Sequence, residues 1–526
     1  MLDRVATLWP EIILFVTVMV LMLTGTSGDR DIRRAGSWIA GLGLLLAFVF
    51  AVRMPEPDTL MPGLSGFMRP AACVVGFLLL LGLGNIDARL ESEVDGGRRF
   101  DPLDTTQGEQ LCFFLLSLIG LMLCTTASDL IWLFLALEMT SLPTYVMVAR
   151  SRSKNAAQEA GVKYFFLGAA AAAIFLYGFA MLYGATGSLH LLDIRAALEA
   201  QAAAGGIGSL AILGLALAVV GVSFKIAAVP MHFYTADVYE GAAAPVTAFL
   251  AFVPKAAGFV VLMLLLGTTL HLGEGGQAWP EAIRVLLWVL AALTMTIGNA
   301  LAMWQNRIKR ILAYSSIAHS GYMLVGLVAA METAGSASAS PATNGFAAVL
   351  FYIVVYGVTN LGAFLVLACL ERRGEEIETI DDLEGLWSRH AGHATILALC
   401  TLSLMGLPPL VGFFAKLFLF TSAIRAGEYV LVIIAGLNSA AAAWYYLRLA
   451  GVGWVRRPGS SAGEIERTPA MARRFAAGVS AATTILLLAL TARLITGGDQ
   501  AVQLRPSDGA PHHAALPTAA ADRPQR

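Results

Sequence analysis

Apolar residues come along this chain in runs of about 20, separated by short polar stretches. That is the length an α-helix needs to cross a bilayer core of roughly 30 Å. The pattern predicts fourteen crossings, at about 10–26, 36–53, 69–86, 110–127, 129–149, 161–184, 207–240, 243–267, 283–303, 309–331, 345–370, 393–423, 428–450 and 474–496. Crossings 7 and 12 are too long for a simple helix and contain Pro or Gly, which predicts discontinuous helices. They lie five crossings apart and so run in opposite directions. Two inverted five-helix repeats predict that arrangement, one over 110–267 (helices 4–8) and one over 283–450 (helices 9–13). Three helices within 1–109 precede them and one at 474–496 follows. The repeat rests on topology, since no residue-level identity between the halves accompanies it.

Composition sharpens the picture. Of 526 residues, 57% are hydrophobic and 13% charged, against about 25% charged in soluble proteins. The fold class is all-α integral membrane. The first apolar run lacks a basic start and a small-residue cleavage site, so it reads as a retained helix. The tail over 499–526 is rich in Pro, Ala and His and reads as disordered, with His512 and His513 solvated rather than metal-bound. Cys73, Cys112, Cys124, Cys369 and Cys400 are scattered through apolar runs without metal-type spacing, and read as small buried hydrophobes. No Gly-rich nucleotide loop follows a strand, and no soluble segment is large enough for a flavin or a nicotinamide. No cofactor or metal is expected in this chain. The net charge of −1 says nothing about partners.

Basic residues orient the crossings. Connections after odd-numbered crossings carry clusters such as Arg30, Arg33 and Arg34, then Arg98 and Arg99, then Arg307, Lys309 and Arg310, then Arg456 and Arg457. Connections after even-numbered crossings carry only Arg53, Arg69, Arg195, Arg284 and Arg425. The odd connections are therefore expected in the cytoplasm and both termini on the opposite side. One cytoplasmic turn, 237–242, holds Asp237 and Glu240 but no basic residue, which marks it as a candidate interface.

An ionisable side chain deep in a bilayer costs several kcal/mol and faces a wet interior or a partner. Six such residues lie away from the predicted helix ends: Glu138, Lys225, His232, Lys255, His319 and Lys416. Glu138 in crossing 5 is a candidate partner for Lys225 in crossing 7. A carboxylate beside an ammonium keeps both charged, and removing either raises the cost of the other. Lys225 sits just ahead of Pro230, which removes a helical hydrogen bond and frees carbonyls that need water or polar groups. His232 lies beyond the break, as a relay or as a partner of a backbone carbonyl. Lys255 follows Pro254, and Lys416 follows Pro408, Pro409 and Gly412, with apolar sequence on both sides of each lysine. His319 sits in a polar stripe with Ser315, Ser316 and Ser320, where helix–helix hydrogen bonding is the plainer alternative. Together these groups suggest a proton path.

The segment FKIAAVPMHFYTADVYEGAAAPVTAFLAFVPKAAGF (224–259) resembles the signature of the chain N family of respiratory complex I, the proton-pumping NADH–quinone oxidoreductase. ALEMTSLPTYVMVA (136–149), QEAGVKYFFLGAAAAAIFLYG (158–178), NRIKRILAYSSIAHSGYMLVG (306–326) and SLMGLPPLVGFFAKLFLF (403–420) support the resemblance in the same order. DVYEG followed by a PVTAFL-like run separates the chain from the family's paralogues. Met231, Tyr234 and Ala236 stand where that family is expected to carry Phe, Trp and Pro.

The resemblance implies an antiporter-like membrane-arm subunit that moves protons while other subunits pass electrons from NADH to quinone. It implies FMN, iron–sulfur clusters, NADH and quinone in those partner subunits, and none here. By position, Glu138 and Lys225 resemble the family's ion pair, Lys255 its central relay and Lys416 its exit-side lysine, with His232 and His319 as candidate connections. The implied partners are the antiporter-like paralogues, the small membrane subunits and the lipid bilayer, without nucleic acid, in a bacterial inner membrane. The alternatives are a subunit of a multisubunit cation/proton antiporter, which shares the fold and most of the lysines, and a purely structural subunit.

Overall fold

Each predicted crossing becomes one helix or one broken pair in the computed structural model, which describes residues 5–83, 107–151, 155–269, 280–333, 344–372, 375–455, 465–467 and 471–505. In chain order the helices are α1 (Trp9–Gly25), α2 (Arg30–Arg53), α3 (Gly63–Leu83), α4 (Gln107–Cys124), α5 (Leu130–Arg150) and α6 (Asn155–Thr186). They continue with α7 (Leu191–Ala203), α8 (Ser209–Ser223), α9 (Thr235–Gly241), α10 (Ala244–Gly267), α11 (Glu281–Met303) and α12 (Ile308–Thr333). The last are α13 (Gly345–Leu367), α14 (Leu386–Met405), α15 (Val411–Arg425), α16 (Tyr429–Val455) and α17 (Met471–Ala501). Eleven are long and apolar enough to cross a membrane singly. The shorter apolar α1, the pair α8 and α9, and the pair α14 and α15 account for the other three expected crossings.

Most departures from expectation are at helix ends. Helix α6 begins at Asn155 rather than near 161. Helix α17 runs to Ala501 and takes in the first residues of the tail expected to be disordered. The chain stays packed to Arg505, whose backbone N–H donates to Leu60 O. Positions 506–526, with His512 and His513, lie outside the described residues.

Helix α7 is an element that a search for long apolar runs passes over. Leu191, Ile194, Arg195 and Leu198 are its buried residues, a helical stripe on a short surface helix. A small antiparallel sheet was also unforeseen. It joins β1 (Leu370–Arg372), β2 (Glu375–Glu376) and β3 (Ile465–Arg467) in the order β2–β1–β3. Its strands come from the connections after crossings 11 and 13, so it stitches two odd-numbered connections together.

The core lies where the two halves meet. Every residue of α10 and of α13 is buried. Helix α12 is almost as deeply enclosed and packs against both. Helices α1 and α2 pack on each other and on α4. Helix α17 returns along α13 and α3, tying the N-terminal helices to the second half. At its start, Arg473 donates to Gly82 O and to Ala368 O, at 3.0 and 3.3 Å. A guanidinium there caps the carbonyl ends of α3 and α13 together, where the helix dipoles favour a cation. The expected reading of the cysteines holds, since all five are free and buried.

The structure adds one buried ion pair that the sequence reading left out. Arg69 in α3 donates to Glu11 in α1 at 2.7 Å, and both are almost fully buried. Both stand near predicted crossing ends, where charge looks ordinary in sequence. Arg69 is therefore engaged inside the protein, and so is Arg195, which is bonded to Glu199 and to Arg505 O. Discounting these two leaves the even connections poorer still in cations at the membrane surface.

Candidate functional site

The break in crossing 7 starts where α8 ends at Ser223. Ala227 takes a left-handed conformation at φ 56°, and Pro230 offers no N–H. Side chains from neighbouring elements satisfy the freed backbone. Tyr234 Oη donates to Phe224 O at 2.8 Å, Ser320 Oγ donates to Ile226 O, and Val229 N–H donates to Thr294 Oγ1 at 3.0 Å. Tyr234 stands where the family is expected to carry Trp, and its hydroxyl performs one of these closures. The Tyr234 ring stacks on Phe224 and Tyr164, with centroids 4.2 and 5.0 Å away.

Lys225 sits at this break. Its ammonium donates to Glu138 Oε1 at 3.2 Å and to Ser141 Oγ at 2.6 Å, both from α5. The lysine side chain is 2% exposed and the glutamate 17%. The pair is therefore enclosed at the lysine and more open at the acid. The rings of Phe175 and Phe224 each lie 5.9 Å from the ammonium. The structure thus brings together the two residues that sequence reading paired.

Lys255 lies within α10, which continues unbroken through Pro254. Its ammonium donates to Ser316 O at 2.5 Å and to Ser316 Oγ at 2.6 Å on α12. The Tyr356 ring of α13 lies 5.2 Å away. No carboxylate pairs with Lys255 among the described residues. Its partners are neutral oxygens at the junction of the two halves.

His319 is held on both sides. Its Nδ1 is hydrogen-bonded to Tyr352 Oη at 2.6 Å and its Nε2 to Tyr446 Oη at 2.8 Å. Tyr446 also bonds Ser315 Oγ. The helix–helix bonding expected of this histidine is present, with tyrosines from α13 and α16 bonding the imidazole on α12.

The break in crossing 12 is built differently. Gly406 caps α14 in the left-handed region at φ 89°, where its N–H closes on Leu402 O and Ser403 O. After Pro408 and Pro409, Gly412 opens α15 so close to Ser403 O that a Cβ would collide with it. Lys416 then reaches back. Its ammonium donates to Met405 O at 2.8 Å and to Ser439 Oγ at 2.9 Å, and Tyr322 lies 5.0 Å below it. The cation thus sits on the carbonyl end of a half-helix, the end whose dipole favours it.

His232 is buried beside Phe233, with its Nδ1 unpartnered. Among the described residues, no hydrogen bond joins it to the other five groups. Three of the remaining five meet on α12, which carries His319, bonds Lys255 through Ser316 and sets Tyr322 under Lys416. The Glu138–Lys225 pair is bonded on α5 instead, and α12 reaches its neighbourhood through Ser320, which donates to Ile226 O. Sequence reading missed Tyr322, Tyr352, Tyr356 and Tyr446, because tyrosine within an apolar run reads as packing. Tyr322 shares α12 with His319, which was a signal, whereas α13 and α16 carry none of the six groups and offered none for Tyr352, Tyr356 and Tyr446.

The acidic turn at 237–242 proves to be an interface within the chain. Asp237 on α9 pairs with Lys163 of α6 at 3.1 Å and with Arg310 of α12 at 2.7 Å. Glu240 pairs with Arg307 and Arg310. Nearby, the buried Lys309 donates to Ala242 O at 2.9 Å and to Glu376 at 3.2 Å. The turn lacks its own basic residue because the second half supplies arginines to it. An open cavity of about 330 Å³ adjoins this rim.

A helical membrane bundle with two broken crossings and a buried cation at each break has the build of an ion-translocating subunit. Residues 127–441 match the family described as NADH:quinone oxidoreductase/Mrp antiporter, transmembrane. NADH-quinone oxidoreductase subunit N of Trichlorobacter lovleyi is 37% identical over 450 residues, covering 84% of this chain and 85% of that protein. A chain of respiratory complex I from Thermus thermophilus with bound aureothin is 32% identical, with a TM-score of 0.71, covering 93% of this chain and 98% of that one. The chain belongs to this family, as an antiporter-like subunit of the subunit N kind. A chain of the Mrp complex from Dietzia shares the fold alone, at 18% identity and a TM-score of 0.72 over 95% of this chain and 97% of that one. Among the described residues, no group of three or more His, Cys, Asp or Glu is placed to hold a metal ion.

Proposed function

We propose that this chain is a proton-translocating membrane-arm subunit of an NADH:quinone oxidoreductase. Electron transfer from NADH to quinone occurs in partner subunits, with their flavin and iron–sulfur groups. The observation that carries the reading is the set of buried groups at and between the two breaks: the Glu138–Lys225 pair at the first, Lys255 and His319 on α10 and α12, and Lys416 at the second. A buried pair with one more exposed member can be strengthened or weakened by a charge arriving beside it. Lys225 is then the group loaded or released as Glu138 is drawn towards it or away. Lys255 passes the proton between the halves, and Lys416 delivers it at the second break, with His319 joining the two. His232 lines the approach to the first break.

The division into repeats over 110–267 and 283–450 supports two linked half-channels of opposite direction. The arginine bias supports an orientation with odd connections in the cytoplasm and both termini on the periplasmic side of a bacterial inner membrane. Antiporter-like paralogues and small membrane subunits are the neighbours this reading assigns.

The test is to tag the chain, extract it in mild detergent and assay the purified material. NADH–quinone reductase activity with flavin and iron–sulfur subunits copurifying is the expected result. Cation/proton exchange in vesicles without those subunits would overturn the reading in favour of a secondary antiporter.

A further inference from the structure

Helix α13 carries a cluster of buried polar atoms that no bond within the protein satisfies. Tyr356 Oη, Thr359 Oγ1 and both side-chain polar atoms of Asn360 lack a partner. These residues are 3%, 1% and 1% exposed. Buried polar groups are almost always hydrogen-bonded, to protein or to ordered water. The atoms of Tyr356 and Thr359, though not those of Asn360, border one internal cavity and point to a solvent site there.

The geometry supplies one. Tyr352, Tyr356 and Thr359 are spaced by four and three residues and so share a face of α13. That face lines a cavity of about 10 Å³, together with His319, Ser403 and Gly412. This is the lower bound of what one water needs, and the lining offers it several polar partners. On one side the Tyr356 ring lies 5.2 Å from the Lys255 ammonium, which is itself bonded to Ser316. On the other, Ser403 Oγ accepts from Gly412 N–H across the break in crossing 12, at 3.3 Å.

We propose that Tyr356 and Thr359 hold an internal water here, and that this water links Lys255 to the crossing-12 break. The inference rests on the proton-translocation reading and deepens it by naming two further relay residues. A proton leaving Lys255 is taken up on the Tyr356 hydroxyl as that hydroxyl passes its own proton to the water. The water passes one on towards neutral Lys416, and nothing is oxidised or reduced. Thr359 orients the water by accepting from it or donating to it.

The experiment uses the assembled complex with Tyr356→Phe, Thr359→Val, both changes together, and Thr359→Ser. Each change is close to isosteric, and assembly is read from the subunit content of the purified complex. The first two variants should each lower proton-coupled NADH–quinone turnover by about two- to tenfold, the worth of one hydrogen bond. The double variant should lose less than the product of the two, because both act on one water. Thr359→Ser keeps the hydroxyl and should restore turnover. A high-resolution map of the complex should show a water within hydrogen-bond reach of Thr359 Oγ1. Normal turnover in the assembled double variant, or a dry cavity, would overturn the proposal. Lys225→Ala in the same assay separates the levels. If it is impaired while the α13 variants are normal, only this inference fails. If it too is normal, the underlying reading fails.

Discussion

Replacing Glu138 with Gln tests the pair on which the functional reading turns. At an effective dielectric of about 20, unit charges at this separation attract by about 5 kcal/mol. Much of that offsets the cost of enclosing Lys225, whose side chain is 2% exposed. Glu138→Gln keeps the size and a hydrogen-bond acceptor but removes the counter-charge, leaving the ammonium with neutral acceptors only, the Gln amide oxygen and Ser141 Oγ at 2.6 Å. Lys225→Met removes the cation and keeps the apolar stem between Phe175 and Phe224. Each single change should lower coupled turnover by tenfold or more, since stranding one member of a buried pair costs about 3–5 kcal/mol. The double change should fall short of the sum by about 1–3 kcal/mol, the coupling of groups in contact. The assay is NADH-driven proton uptake by inverted membrane vesicles, normalised to assembled complex. Additive losses would show that the two act separately. Normal pumping in either assembled single variant would refute the role given to the pair.

Other consequences concern the scaffold. Gly412→Ala should prevent correct assembly of crossing 12, because its Cβ collides with the Ser403 carbonyl; recovery of assembled complex on native gels checks this. Glu11→Gln should lower the thermal midpoint, as about 3–5 kcal/mol attends breaking a buried pair, whereas Glu11→Leu with Arg69→Met should recover most of it. Glu240→Gln removes the partner that Arg307 and Arg310 share. It should cost about 1 kcal/mol or less at this partly exposed rim, more at low salt than at high, in a melting series against ionic strength.

The sequence by itself determined the membrane, the number of crossings and where two of them break. Runs of about 20 apolar residues have one stable outcome in a bilayer, because backbone groups in lipid must bond within their own helix. Pro230 in crossing 7 and Pro408, Pro409 and Gly412 in crossing 12 interrupt runs already too long for one helix, so both breaks were legible, whereas Pro254 alone left α10 continuous. Buried charges stand out against apolar sequence, which is why Glu138, Lys225, Lys255, His319 and Lys416 could be named in advance.

What the tertiary structure alone decided is partnership. Lys255 could have met an acid, and instead meets Ser316 on a helix more than sixty positions away. Asp237 and Glu240 formed an anomaly in the sequence until Arg307 and Arg310 of the other half reached them. The tyrosines around His319 read as packing because a hydroxyl's worth depends on what faces it. Glu11 and Arg69 looked like charges at helix ends until the packing of α1 on α3 closed over them. Hydropathy acts residue by residue along the chain, whereas pairing depends on which faces of fourteen crossings meet, and no local property of the chain carries that.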